Sequence, residues 1–316
     1  MKTTRYLARR TAGSLTLALL MTAAAGSAWA GQSLDIPSKT WGISFGNSKS
    51  FTGLRFNFRD SQVQRVNGLN LTLWQPHKDN KDAVIQGLSF GILPGGGYLR
   101  GIQLGILGVS AEKELKGISL GGLGIGAGKD VTGITIGGLG AGAGGSMKGV
   151  NIGGIGVGAS KDLVGFNVGG IGAGAGDNMT GLNIGGVGVG AGKVLAGINI
   201  GGVGVGAGER LTGLTLVGLA AGAPEVRGIT IGGLAVGGND VKGIQIAGGF
   251  IMINQGGRLA GLAASSFNYI RGAQTGLAIG IVNYAYSVKG LQIGLVNIVR
   301  DNPRGLKVLP VFNTSF

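Results

Sequence analysis

A sixteen-residue repeat constrains this chain more than any other feature. Gly101, Gly117, Gly133, Gly149, Gly165, Gly181, Gly197 and Gly213 each open a unit, followed by an aliphatic residue or by Phe166. The spacing then drifts through Gly228, Gly243, Gly261, Gly276, Gly290 and Gly305, and Gly53, Gly68 and Gly87 open looser versions upstream. Units this small cannot bury a core alone, so neighbours must stack and share one.

The unit GITIGGLGAGAGGSMK (133–148) shows what each repeat builds. Ile134 and Ile136 alternate with Thr135, and Leu139, Ala141 and Ala143 alternate with glycine. That is strand periodicity. With 71 glycines in 316 residues, helix is excluded, because each interior glycine costs about 1 kcal/mol relative to alanine. Only six prolines and a hydrophobic content of 44% argue against collagen and against disorder.

Apolar parity changes across the glycine pair, from Ile134 and Ile136 to Leu139 and Ala141. A solenoid corner, a two-residue hairpin or a bulge in one long strand would each put Ile136 and Leu139 on one face. The pairs Gly121–Gly122, Gly137–Gly138, Gly153–Gly154, Gly169–Gly170, Gly185–Gly186 and Gly201–Gly202 are expected to be structural corners with unusual backbone angles. The aliphatic residues on both sides of the pair are expected to converge on a common core. The alternating glycines after it thin one face, so that another surface can approach. The expected fold class is all-β, a β-solenoid or β-roll of tandem glycine-rich repeats. An outer-membrane β-barrel and a closed ring of short hairpins are the alternatives.

Residues 1–30 read as a signal peptide: Lys2, Arg5, Arg9 and Arg10 precede the apolar run 15–22, and Ala28-Trp29-Ala30 resembles a cleavage site. Residues 31–100 read as an aromatic-rich N-terminal cap or first strands, with Trp41, Phe45, Phe51, Phe56, Phe58, Trp74, Phe90 and Tyr98. The regular array fills 101–248. Residues 249–316 hold divergent repeats and a C-terminal cap in which aromatics return. The net charge is +14, and the basic residues are scattered singly in the polar links between repeats. There is no cysteine, so stability must come from stacking.

Catalytic chemistry finds little footing. His77 is the only histidine, in a polar stretch, which leaves transition-metal ligation without a partner. The pattern G-x-S-x-G occurs at 42–46, 87–91 and 117–121, but each is accounted for by repeat glycines, with no helix expected to follow. No cofactor, metal or catalytic residue is expected. Nucleic-acid binding would want aromatics among the basic residues, and 117–245 contains only Phe166.

The units GLAIGIVNYAYSVKG (276–290) and GLQIGLVNIVRDNPRG (290–305) resemble a group of uncharacterised bacterial exported "surface repeat" proteins built of tandem GLQIGLxN-type units. The resemblance covers most of 87–316 and carries no site to transfer. It implies export to the periplasm, outer membrane or surface of a diderm bacterium. The expected function is a non-enzymatic envelope repeat protein with a structural or surface-interaction role. A barrel that passes or senses small solutes, and a binder of anionic lipid or polysaccharide, are the alternatives. Self-association is not legible in the sequence.

Overall fold

The computed structural model describes residues 33–315; the expected signal peptide and Phe316 lie outside the described residues. The chain is an all-β solenoid of about 15 turns, each close to 16 residues. In the regular array each turn carries a longer strand, such as Asp130–Gly137, and a short one, such as Gly140–Ala143. Every strand pairs in parallel with its equivalents one turn before and after, so Gly133 sits opposite Gly149 and Ala141 opposite Val157. Such pairing excludes both the barrel and the hairpin ring, whose successive strands would run antiparallel. The two ends differ. Ser33–Pro37 folds back antiparallel on Trp41–Gly46, and Val308–Asn313 does the same on Val282–Val299. A reversed strand thus closes each end against further parallel addition.

The stack is aligned by one column of glycines. From Gly42 to Gly290, every turn holds a glycine with φ between +103° and +142°. A Cβ built on any of them from Gly53 onward would lie 2.0–2.4 Å from the carbonyl oxygen of the glycine one turn earlier. These are the repeat-opening glycines. The left-handed angles expected at the glycine pairs are found here instead. The pairs serve the bend differently: Gly137 ends the longer strand facing inward, and Gly138 opens the bend facing outward. A Cβ on Gly138 would sit 1.9 Å from the Gly122 carbonyl oxygen, and one on Gly137 would sit 2.1 Å from that of Gly140. Close approach of backbones, rather than special torsions, requires glycine at the pairs.

Ala141 and Ala143 face the core as the sequence leads one to expect, but the larger aliphatic residues of the unit point the other way. Ile134 and Ile136 are each 39% exposed and Leu139 is 50% exposed. The core is made by Val131, Ala141, Ala143 and Met147, with Thr135 among them. The physical cause is width. A turn with sides of about four residues encloses room for one long side chain from the link, two alanines or valines, and one mid-sized polar residue. Three more columns of isoleucine and leucine would overfill it. Ile136 and Leu139 do share a face, but it is the outer one, because Leu139 lies in the bend.

Where asparagine repeats, the polar column inside is paired along its own length, while Ser89 Oγ, Gln103 Nε2 and Gln245 Oε1 elsewhere in it are buried without a partner. Asn151, Asn167, Asn183 and Asn199 are fully buried, and the first three each donate Nδ2 to the next Oδ1 at 2.9 Å, which leaves Asn151 Oδ1 and Asn199 Nδ2 unpaired at the two ends. A second ladder runs Asn268, Asn283, Asn297 at 2.7 and 2.8 Å. An amide side chain has one donor and one acceptor end, so an unbroken ladder loses little by being buried.

Aromatic residues do not plug the ends. Of those between 31 and 100, only Phe51 is in the core, while Trp41, Phe45, Phe58, Trp74 and Phe90 face outward. The N-terminal turns are instead filled by a polar cluster. Buried Arg55 pairs with Asp60 at 2.6 Å and also donates to Asn70, Asn47 and Ser48. Nearly every donor and acceptor of the pair is used, which is what makes burial of the charges tolerable.

Candidate functional site

Three surfaces run the length of the coil. The first is aliphatic. The residue after each stacked glycine faces outward: Ile43 and Leu54 open the column, and Ile118, Ile134, Ile198 and Leu291 continue it. Two residues further on, Phe45, Leu120, Ile136 and Ile293 belong to a second outward column. The bends add a third, with Leu123, Leu139, Ile155 and Ile171 about half exposed. Towards the C-terminus a shallow open groove between the second and third columns is lined by Ala264, Ile279, Ile281, Ile293 and Leu295. Monomers seldom expose apolar patches beyond a few hundred Å², and larger ones mark interaction surfaces.

The second surface is the short strand. Between Gly124 and Ala207 its outward positions are glycine throughout: Gly140 and Gly142, then Gly156 and Gly158, and so on. A Cβ on Gly126 or Gly204 would meet nothing within 4 Å, and on the others nothing nearer than 3.3 Å. The fold itself leaves room for side chains there.

The third surface is the ridge of links. Its charges pair along the stack: Lys193 with Asp177 at 2.8 Å, and Glu225 with both Arg210 and Arg227. The hydrogen bond that the Lys193 ammonium donates to Asp177 holds its pKa above the ordinary value. The hydrogen bond from Arg210, helped by Arg227, holds the Glu225 carboxyl below the usual range. Asp82 and Lys113 meet at 2.5 Å with matching shifts, Asp82 down and Lys113 up. These pairs are exposed and contribute little to stability.

The residues that resembled catalytic motifs are not gathered into a site. Ser44, Ser89 and Ser119 are buried in the polar column, and Ser119 donates to Gln103 at 2.9 Å. His77 is exposed in the loop that precedes Asn80. Among the described residues no group of three or more His, Cys, Asp or Glu could hold a metal ion.

The aliphatic face was missed because the usual inside-outside rule assigns isoleucine to the core. The signal that could have found it is the asparagine recurring at 151, 167, 183 and 199, since in-register stacking gives each amide a partner one turn away and so lets the column be buried without water. No protein-family model, curated protein or solved structure matches the chain, so its architecture and this face are what define it.

Proposed function

We propose that the protein is a non-enzymatic, exported scaffold of the diderm cell envelope, and that it works by presenting a long, flat aliphatic face for attachment. The observation that carries this reading is the outward direction of two complete apolar columns. In the longer strands, β-branched and aliphatic side chains are spent on the surface while asparagine and threonine occupy the interior. Burying one such side chain on a partner gains up to about 1.5–3 kcal/mol, so even partial cover over many turns gives strong attachment. The burial of Ser44, Ser89 and Ser119 supports a non-catalytic role, since none of the three hydroxyls is open to a substrate. The repeat motif and the basic, apolar, small-residue order of 1–30 support export.

Fractionation tests the proposal. The full chain, expressed in a diderm host, is expected to sediment with the envelope and to require detergent or chaotrope for release. The variant Ile118→Thr/Ile134→Thr/Ile198→Thr keeps β-branched residues at exposed strand positions and is expected to appear in the soluble periplasmic fraction. Equal distribution of the two proteins would refute attachment through this face.

A further inference from the structure

The nature of the surface that covers the aliphatic face can be read from the same turns; this inference rests on the proposal that the face is an attachment surface. We propose that its occupant is the surface of an anionic phospholipid bilayer, with the solenoid lying lengthwise on the membrane.

Size comes first. About 15 turns at roughly 4.8 Å per turn give a face near 70 Å long. The four-residue strand segment and the bend make it at least ~13 Å wide, so its area is on the order of 1,000 Å². That matches one side of a stable interface. Backbone N–H and C=O groups along the face are bonded between turns, so only side chains meet the occupant. An apolar medium demands that condition.

Register separates lipid from a second copy of the chain. The face repeats itself every turn, and neither of its strand columns carries a polar side chain between Ile43 and Ile293. Sliding one copy along another by a whole turn would preserve nearly every contact. A specific protein interface needs features that penalise such slippage, and these columns supply none. A fluid bilayer has no register to satisfy.

Charge then selects the lipid. The column bordering the face, one residue before each stacked glycine, contains Arg100, Lys116, Lys148, Arg227, Lys242 and Lys289. No acidic residue occurs in it from Trp41 to Lys289. Glu114, Glu225 and Asp240, which pair with Arg100, Arg227 and Lys242, lie two residues further from the face in partly exposed, weak pairs, in the same more distant column as Asp130 and Asp162. Lys116, Lys148 and Lys289 form no ion pair among the described residues. A basic edge beside an apolar plane complements headgroup phosphates above acyl chains. Trp41, 58% exposed, stands in that same edge column, at a depth tryptophan favours.

The test is flotation of the full-length protein with vesicles of phosphatidylglycerol and phosphatidylcholine, or of phosphatidylcholine alone, with circular dichroism on each variant. The protein is expected to float with the anionic vesicles and to partition at least about tenfold less with the neutral ones. Neutralising the edge in Lys116→Gln/Lys148→Gln/Lys289→Gln is expected to weaken partitioning about a hundredfold, at about 0.7 decade per charge, with the β spectrum unchanged. The triple Ile→Thr variant is expected to lose flotation altogether. If the parent stays in the aqueous fraction with both vesicles and the triple Ile→Thr change converts an oligomer to a monomer, the occupant is a second copy. Attachment through the face then survives and the lipid assignment fails. If that variant changes neither flotation, oligomeric state nor envelope sedimentation, both fail.

Discussion

The array between Gly124 and Ala207 and the last turns between Phe250 and Tyr284 use the same two outward columns of the short strand in opposite ways. In the array those columns are pure glycine. Through the register Ala235–Phe250–Phe267–Val282 and Gly237–Met252–Tyr269–Tyr284, the last turns fill them with large side chains. Phe267 stacks on Tyr269 at 5.6 Å, and Tyr269 packs on Tyr284 at 5.0 Å. The parallel coil continues through both regions, with register shifts in the last turns at Gly238/Asp240, Ile253/Arg258 and Ile270/Ala273. The repeat-opening glycine, by contrast, survives in both without exception, from Gly117 to Gly290. Glycine therefore has two separate meanings in one repeat. In the stacked column the backbone demands it, and in the short strand the coil would accept a side chain.

The largest expected effect breaks the column. Gly165→Ala forces a Cβ to 2.1 Å from the Gly149 carbonyl oxygen at a φ of +120°. A cost of about 3 kcal/mol or more is expected from backbone strain and displacement, read as a lowered midpoint in denaturant. Gly276→Ala, in the aromatic turns, is expected to cost the same; a mild effect there would mean that the column is not uniform.

Next in size is the buried ladder. Asn183→Ala leaves the Asn167 amide and the Asn199 carbonyl oxygen without their partners, at about 1–3 kcal/mol for each group. Calorimetry should show a fall in Tm, and Asn183→Gln should not restore it, because the longer side chain moves its amide out of line.

At the bend, Gly186→Val is expected to be worse than Gly185→Val. A Cβ on Gly186 would sit 1.9 Å from the Gly170 carbonyl oxygen and one on Gly185 would sit 2.0 Å from that of Gly188, but the column of Gly185 is seen to adjust to a side chain at Val217 two turns later. Each is compared with the parent by urea midpoint. If both variants matched the parent, the bend would not depend on its glycines.

The smallest stability effects should fall on the short strand and the ridge. Gly174→Ala has its nearest neighbour at 3.8 Å and is expected to lie between neutral and a gain of about 0.4–1 kcal/mol, since alanine restricts the unfolded chain. A loss would show that the strand is more crowded than its geometry implies. Glu225, whose folded pKa is depressed, contributes stability that is present above its unfolded pKa and is lost as pH falls through the folded value. Glu225→Gln should therefore flatten the acid limb of a Tm-against-pH curve slightly and leave the neutral plateau almost unmoved.

Much of the fold is legible from spacing alone. Identical steps of sixteen residues, repeated links and the density of glycine lead to parallel coils. The bend is where the glycine pairs occur. The direction of each side chain is not legible from hydropathy, because Ile134 and Thr135 obey a rule set by the width of the cavity rather than by transfer from water. The function of the opening glycine is hidden for a similar reason: its clash is with the turn below, sixteen residues away. The cluster around Arg55 escapes the sequence because Asp60, Asn70 and Asn47 come from different turns and meet only once the early loops have closed. The candidate face follows from direction, so it could not be drawn until direction was known.

The strict one-turn register has an architectural consequence. Removing 165–180 would leave Val164 followed by Gly181, a step the chain already takes at every unit boundary, and both reversed end strands would be untouched. The rod would shorten by roughly 4.8 Å and keep its cross-section. Length in such a molecule is a quantised property, adjustable by whole modules like the marks on a ruler, while everything a neighbour would touch stays the same per unit length.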